Sequence, residues 1–142
     1  RKHGGVIWLD PNIRATYYAR ATLAALAQQY WRYGYWKVRM LLSYQDTIRW
    51  RQIIPPVFVV SIILFLGLSA FSPFFALLLT LEVVLYAVLL ASAGIQIFVT
   101  KKKFFYLIGV PLAIATMHVF WGGAFLWSSL SSFFKKKNGN EI

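Results

Sequence analysis

The residues best suited to chemistry in this sequence are Gln29, Arg32 and Tyr33, because the second and third follow the first by three and four positions. Residues at these spacings share one face of an α-helix, so the three side chains can converge on a single ligand. A guanidinium group suits a diphosphate, since its forked donors pair with two phosphate oxygens at once. The same residues would also suit a helix that meets lipid head groups. The spacing alone leaves both interpretations open.

Two further candidates, Glu82 and His118, lie within strongly apolar stretches. Ionisable side chains inside a membrane are costly and usually face a partner. If one stretch runs inward from Phe75 and the next runs outward to Trp127, the depths of the two groups differ by only about 3 Å, at a rise of about 1.5 Å per residue. We therefore predict a Glu82–His118 contact that packs two helices. The alternative is that Glu82 reaches the outer interface alone.

Three apolar runs have to position these groups, over residues 53–71, 76–99 and 104–127. Each approaches or exceeds the roughly 20 residues that cross a bilayer core, and only helices satisfy their own backbone groups in lipid. Hydrophobic residues make up 59% of the chain and charged residues 13%, which excludes an ordinary soluble domain. The sequence predicts a mainly α-helical integral membrane protein, with a transmembrane region over residues 53–134 and a polar tail over residues 135–142.

The positive charges predict an orientation. Nine of the 15 Lys and Arg residues precede the first apolar run, and the positive-inside bias places that part and Lys101–Lys103 in the cytoplasm. Three full spans then place Lys135–Lys137 outside. The alternative is a re-entrant hairpin over residues 104–134, helped by Pro111 and the Gly122-Gly123 pair. We interpret the net charge of +11 as attraction to anionic lipid heads, and we expect no nucleic-acid partner.

The chain before the first apolar run begins with a segment of β character. Residues 4–9 and 13–18 are rich in β-branched and aromatic side chains, and the turn signal Asp10-Pro11-Asn12 separates them. This pattern predicts two short strands. Because two strands are marginal alone, we expect residues 1–18 to be the carboxyl-terminal strands of a larger sheet that the chain does not contain.

Residues 19–52 have a different pattern. Residues 20–32 and 36–44 each predict an amphipathic helix, and Tyr33-Gly34-Tyr35 separates the two. Basic residues opposite Trp, Leu and Met, just before a membrane span, are typical of helices that lie in the membrane interface. Two core-facing helices of a soluble domain are the alternative.

A longer pattern runs through the same part of the chain. It comprises Gly4-Gly5-Val6-Ile7-Trp8, Pro11, Tyr17-Tyr18-Ala19-Arg20, Leu23, Leu26, Gln29 and the run from Arg32 to Arg39. This pattern resembles the end of the catalytic domain in membrane-bound family 2 glycosyltransferases, especially the exopolysaccharide type similar to the succinoglycan glycosyltransferases. The run from His118 to Leu126 also looks like the His-and-glycine pattern in the last span of that group.

The resemblance implies inverting transfer of a sugar from a nucleotide-sugar donor to a lipid-linked or polysaccharide acceptor. The setting would be envelope or exopolysaccharide synthesis at the inner (plasma) membrane of a bacterium. Related processive synthases carry Gln-x-x-Arg-Trp at the mouth of the active site. Gln29, Arg32 and Tyr33 match this motif with Tyr in the place of Trp, which puts the choice of acceptor in doubt.

The resemblance also implies a divalent metal, Mg²⁺ or Mn²⁺, in an upstream α/β domain that binds the nucleotide sugar. Its ligands and the general base would precede Arg1, because Asp10 and Asp46 are isolated and match neither motif. We therefore expect the chain to be a carboxyl-terminal fragment that is inactive alone. The alternative is a small non-enzymatic membrane protein, an anchor or an assembly partner.

Overall fold

The structure is a computed structural model that describes residues 8–44 and 49–137. It contains four α-helices: α1 (Leu23–Ser43), α2 (Ile54–Ser69), α3 (Pro73–Lys101) and α4 (Phe105–Lys137). A short 3₁₀ turn, Trp50–Gln52, precedes α2. The segment from this turn through α2, together with α3 and α4, gives three helices long and apolar enough to cross a membrane. The prediction of a mainly helical protein with three such helices is confirmed.

Prolines and a serine determine where two of these helices begin. Pro55 and Pro56 lie in the first turn of α2, where a missing N–H removes no helical hydrogen bond. The Ser72 hydroxyl caps α3 by accepting a hydrogen bond from the Phe74 N–H at 3.3 Å, and Pro73 is the first residue of that helix. The connection between α2 and α3 is therefore short, and the two helices become antiparallel neighbours.

Aromatic contacts set the register of the three long helices. Phe58 of α2 packs on Tyr86 of α3 with ring centroids 4.3 Å apart. Phe98, near the end of α3, packs on Phe104, just before α4, at 5.0 Å. Residue numbers fall along α3 as they rise along both α2 and α4, so α3 is antiparallel to both neighbours. Tyr86 consequently lies beside α2 on one side and α4 on the other.

The re-entrant hairpin considered for residues 104–134 is wrong, because α4 is one continuous helix. Pro111 lies inside it, where it lacks the N–H that would bond the Leu107 carbonyl, and the helix continues past it. The glycine pair does not reverse the chain either. Gly122 instead provides room for α2, since a Cβ at this position would lie 2.5 Å from the Pro55 carbonyl oxygen.

The predicted interruption at Tyr33-Gly34-Tyr35 is also wrong, because α1 continues through it. A glycine in a helix interior costs about 1 kcal/mol relative to alanine. Gly34 is buried against α4, and a Cβ added there would collide with the Trp121 carbonyl oxygen. The close approach of the two helices offsets the low helix propensity of glycine.

Helices α1 and α4 run side by side in the same direction. The start of α1 and the start of α4 line a common cavity. Further along, Gly34 faces Trp121, and the Ser128 hydroxyl donates a hydrogen bond to the Tyr35 carbonyl at 3.0 Å. We call this contact the α1–α4 seam. Because the two helices are parallel, α1 and α4 have the same tilt in a membrane. That α1 lies in the membrane interface stays a prediction.

The predicted β character is not realised in residues 8–22, which are exposed and contain no strand. The turn predicted at Asp10-Pro11-Asn12 does form, with the Asn12 N–H donating to the Asp10 carboxylate at 2.9 Å. The strand predicted over residues 13–18 is wrong in this structure, because an extended segment needs a neighbouring strand to pair with. Residues 4–7 of the other predicted strand lie outside the described residues.

Candidate anion-binding site

The side-chain amide of Gln29 joins the start of α1 to the extended segment before it. Its oxygen Oε1 accepts a hydrogen bond from Arg20 Nε at 2.8 Å. Its nitrogen Nε2 donates to the Tyr33 hydroxyl at 2.7 Å and to the Tyr17 hydroxyl at 3.3 Å. One amide thus uses its acceptor and both donors to gather three side chains.

The local sequence explains why the chain turns back here. Thr22 adopts an extended backbone conformation and caps α1, with its hydroxyl accepting from the Ala25 N–H at 3.2 Å. Threonine is favoured at this position because its oxygen satisfies an N–H that has no helical partner. The cap directs the residues before it away from the helix axis, so Tyr17 and Arg20 can reach Gln29.

Arg32 lies on the same face and lines a shallow cavity of about 230 Å³ next to Gln29. The other polar side chains around this cavity are Arg20, Gln28 and Tyr33, and none of the residues that line it is acidic. Arg32 is exposed. Its guanidinium group has no hydrogen bond to the part of the chain that the structure describes. We call Arg20, Gln29, Arg32 and Tyr33 the Gln29 cluster.

The cluster has the chemistry of a site for an anion. Two guanidinium groups face one cavity, and Arg20 uses only Nε in its bond to Gln29, so its terminal nitrogens remain available. Planar guanidinium groups pair with phosphate oxygens in a two-pronged geometry that a lysine cannot reproduce. The Tyr33 side chain is 53% exposed, so its ring offers an apolar surface at the rim of the cavity.

The structure brings together the three residues predicted from their helical spacing, Gln29, Arg32 and Tyr33. It also adds Arg20 and Tyr17, which belong to the longer sequence pattern that carries the resemblance but not to the helical spacing. These two lie nine and twelve positions before Gln29, across a helix cap, so helical periodicity gives no signal for them.

The intramembrane candidates Glu82 and His118 line one cavity of about 400 Å³ among α2, α3 and α4. Within the described residues they share no hydrogen bond, and each has another partner. The Ser61 hydroxyl makes a short hydrogen bond to Glu82 Oε1, and the Tyr86 hydroxyl lies 3.1 Å from His118 Nδ1. The predicted direct contact is replaced by two neighbouring contacts, because α2 lies close enough to supply a partner for Glu82.

The divalent metal implied by the resemblance has no site among the described residues. No group of three His, Cys, Asp or Glu side chains in residues 8–44 and 49–137 is close enough to hold an ion. The carboxylates of Asp10 and Glu82 belong to different parts of the molecule, so they do not make up a ligand set.

Comparison with known proteins does not identify the ligand of this site. No protein-family model, no curated protein sequence and no solved structure matches the chain. The chemistry of the site therefore has to be argued from its own residues, which offer two guanidinium groups and an amide to a ligand beside an exposed aromatic ring.

Proposed function

We propose that this chain is the membrane-embedded part of an inverting glycosyltransferase, at the active-site mouth. The enzyme would move a sugar from a nucleotide sugar to a lipid-linked or polysaccharide acceptor in envelope or exopolysaccharide synthesis. The observation that carries the proposal is the Gln29 cluster. It holds two cationic side chains at one cavity beside an aromatic ring, in a sequence pattern similar to that of membrane-bound family 2 glycosyltransferases.

In this proposal Arg32 and Arg20 bind the diphosphate of the donor. Negative charge develops on the diphosphate as its bond to the sugar breaks, and donors that are already aligned lower the free energy of that transition state. Gln29 is a positioning residue, because it fixes Arg20 and Tyr33 by hydrogen bonds. The exposed ring of Tyr33 packs against the acceptor sugar.

The remaining chemistry requires a base, because the acceptor hydroxyl gives up a proton as its oxygen attacks the anomeric carbon of the donor. No acidic side chain lines the Gln29 cavity. The proposal therefore assigns proton removal to a carboxylate outside the described residues, as the resemblance implies. The present residues stabilise the leaving diphosphate and position the two substrates.

The membrane part of the proposal concerns orientation. Three helices of suitable length and apolarity make this a multi-pass membrane protein. We propose that it lies in the inner membrane with its amino-terminal part in the cytoplasm, since nine of the 15 basic residues precede the first span. The Gln29 cluster would then face the compartment that contains nucleotide sugars.

The test is sugar transfer by membranes from cells that express the protein at its natural length. Arg32→Lys keeps the charge but loses the forked geometry, so turnover should fall by about 100- to 1000-fold, as at comparable oxyanion sites. Arg14→Lys is the matched control, because Arg14 is exposed in the extended segment and does not line the Gln29 cavity. The control should keep full turnover.

A second variant examines the acceptor side. Tyr33→Trp introduces the residue of the related synthases and should change acceptor preference more than donor affinity.

Full activity of Arg32→Lys at normal expression would contradict the proposal. It would favour the competing role of a non-enzymatic anchor, in which either cation serves a lipid phosphate equally well.

A further inference from the structure

A second cavity with polar side chains in its lining lies on the other side of α1 from the Gln29 cluster. It measures about 170 Å³ and lies among α1, α4 and the 3₁₀ turn before α2. Its polar side chains are those of Tyr30, Arg51, Gln52, His118 and Trp121, and no acidic residue lines it. Each of these five side chains can donate a hydrogen bond. We call it the Arg51 cavity.

Several of these donors are available to a ligand. The Arg51 side chain is exposed, and its guanidinium lies 5.5 Å from the Trp50 ring centroid. Gln52 accepts a hydrogen bond from the Arg49 N–H through its side-chain oxygen, which leaves the amide nitrogen to donate. Within the described residues, the indole N–H of Trp121 makes no hydrogen bond.

His118 connects the Arg51 cavity to the interior of the bundle. Its Nδ1 lies 3.1 Å from the Tyr86 hydroxyl. Where that hydroxyl donates to Nδ1, the proton of a neutral imidazole is on Nε2, and Nε2 has no partner among the described residues. The ring thus has one nitrogen fixed by Tyr86 and another free to donate to a ligand.

An apolar cavity of about 400 Å³ adjoins the Arg51 cavity and shares Pro55 and His118 with it. Its volume falls in the range of ligand pockets, about 300–1,000 Å³. The apolar side chains that line it come from α2, α3 and α4: Ile54, Phe58, Leu85, Leu89, Leu90 and Ile114. Tyr86 and Glu82 line it as well, and the Glu82 carboxylate is hydrogen-bonded to Ser61. A ligand that occupied both cavities would need a hydrocarbon portion next to an anionic group.

We propose that the two cavities together bind one lipid with a terminal phosphate. The phosphate would lie in the Arg51 cavity and one hydrocarbon chain in the apolar cavity. The donor-rich, acid-free lining complements an anion, and a terminal phosphate offers three oxygens to these donors. The position is also suitable, because Trp50 and Arg51 are the first two residues of the candidate span Trp50–Leu68. The end of a span is where the phosphates of a bilayer lie.

This site goes beyond the proposed sugar transfer and does not depend on it. A lipid phosphate would bind here equally well if the protein were an anchor. The test therefore uses no nucleotide sugar. It measures equilibrium binding of radiolabelled hexadecyl phosphate to the purified full chain in neutral detergent, against hexadecanol and hexadecanoate as competitors that lack a phosphate.

Arg51→Gln removes the cation of the site. Hydrogen bonds to charged groups are stronger than those between neutral groups. Hexadecyl phosphate should therefore bind at least roughly tenfold more weakly to this variant. Arg49→Gln is the matched control, because Arg49 is exposed two positions away and does not line the Arg51 cavity. Its affinity should stay within about twofold of the unmodified chain.

Leu89→Trp fills the apolar cavity and so tests whether the hydrocarbon chain of the ligand binds there. It should weaken binding of hexadecyl phosphate about tenfold, as Arg51→Gln does. Leu64→Trp is the control, because Leu64 is on an exposed face of α2 outside that cavity, and it should leave the affinity unchanged. Equal losses in Arg51→Gln and Arg49→Gln would overturn the proposal, since they would indicate unspecific attraction to a basic surface. Displacement by hexadecanol or hexadecanoate at the same concentration as by unlabelled hexadecyl phosphate would overturn it as well.

Discussion

The α1–α4 seam and the bundle of α2, α3 and α4 pack in different ways. In the seam, Gly34 lies against α4, and Ala124 and Ser128 of α4 have no exposed surface. Between the long helices, large side chains such as Phe58 and Tyr86 meet ring to ring and leave a cavity of about 400 Å³. At the start of the seam, where larger side chains of α1 and α4 meet, a cavity of about 470 Å³ also remains. Small residues bring backbones together, whereas large residues hold them apart.

This difference matters for where a ligand can bind. Lipid gives no hydrophobic advantage to helix association, so close packing of small residues and hydrogen bonds have to hold membrane helices together. The seam meets that need and fixes α1, whose opposite face carries the Gln29 cluster. The seam is closely packed around Gly34, whereas the polar groups of the bundle, Glu82 and His118, line a cavity.

The largest loss of stability should come from adding one methyl group to the seam. In Gly34→Ala the new Cβ would collide with the Trp121 carbonyl oxygen, and a backbone atom cannot move aside as a side chain can. We expect a loss of about 3 kcal/mol, the upper end for overpacking, measured as free energy of unfolding in mixed detergent micelles.

Gly67→Ala is the matched control for this seam variant. A Cβ at Gly67 meets nothing within 4 Å, so alanine should be neutral or stabilising by up to about 1 kcal/mol. Equal stability of the Gly34→Ala and Gly67→Ala variants would mean that α1 does not pack closely on α4.

The contact between α2 and α4 offers a comparison between adjacent glycines. In Gly122→Ala the Cβ would lie 2.5 Å from the Pro55 carbonyl oxygen and 2.9 Å from a Val59 methyl group. In Gly123→Ala the nearest atom, on the Trp31 ring, is 3.8 Å away, an ordinary contact. We expect Gly122→Ala to cost about 2 kcal/mol, and thermal unfolding should place Gly123→Ala close to the unmodified chain.

Removing a hydrogen bond between polar groups of the bundle should lower the free energy of unfolding by less. Such bonds between membrane helices contribute about 0.6 kcal/mol on average and at most about 1.7 kcal/mol. Double-mutant cycles can locate them. Tyr86→Phe with His118→Ala should show coupling, because these side chains are in contact. Glu82→Gln with His118→Ala should be nearly additive. Strong coupling in the second cycle alone would restore the direct pair predicted from the sequence.

That pair shows how far sequence reasoning can go in this protein. The rise per residue of a helix is fixed, so the depths of Glu82 and His118 could be estimated, and both do line one cavity. The rotation of each helix depends on its neighbours, which the sequence does not specify. Ser61 on α2 was therefore not identified as the partner of Glu82.

Helix boundaries could be predicted from the sequence where local chemistry determines them. Pro55 and Pro56 lie in the first turn of α2, where proline is favoured, and the three apolar runs became three long helices because lipid-compatible segments have few alternatives. Gly34 is the opposite case. Its local propensity predicts a break, and its contact with α4 overrides that preference.

The candidate site was predictable to the extent that it lies on one helix. Gln29, Arg32 and Tyr33 share a face because of the geometry of α1 alone. Arg20 and Tyr17 reach the same place only after the chain reverses at Thr22. A reversal across a helix cap has no periodic signature, so these two contributions required the structure.

The most direct test of the account is binding of a nucleoside diphosphate to the Gln29 cluster. Equilibrium binding of UDP and GDP should be measured with the protein at its natural length in neutral detergent, comparing Arg32→Gln with Arg14→Gln. We expect Arg32→Gln to weaken binding of at least one nucleotide about tenfold or more, and Arg14→Gln to leave it unchanged. Equal affinity of the two variants would contradict a role for this cluster in binding the donor.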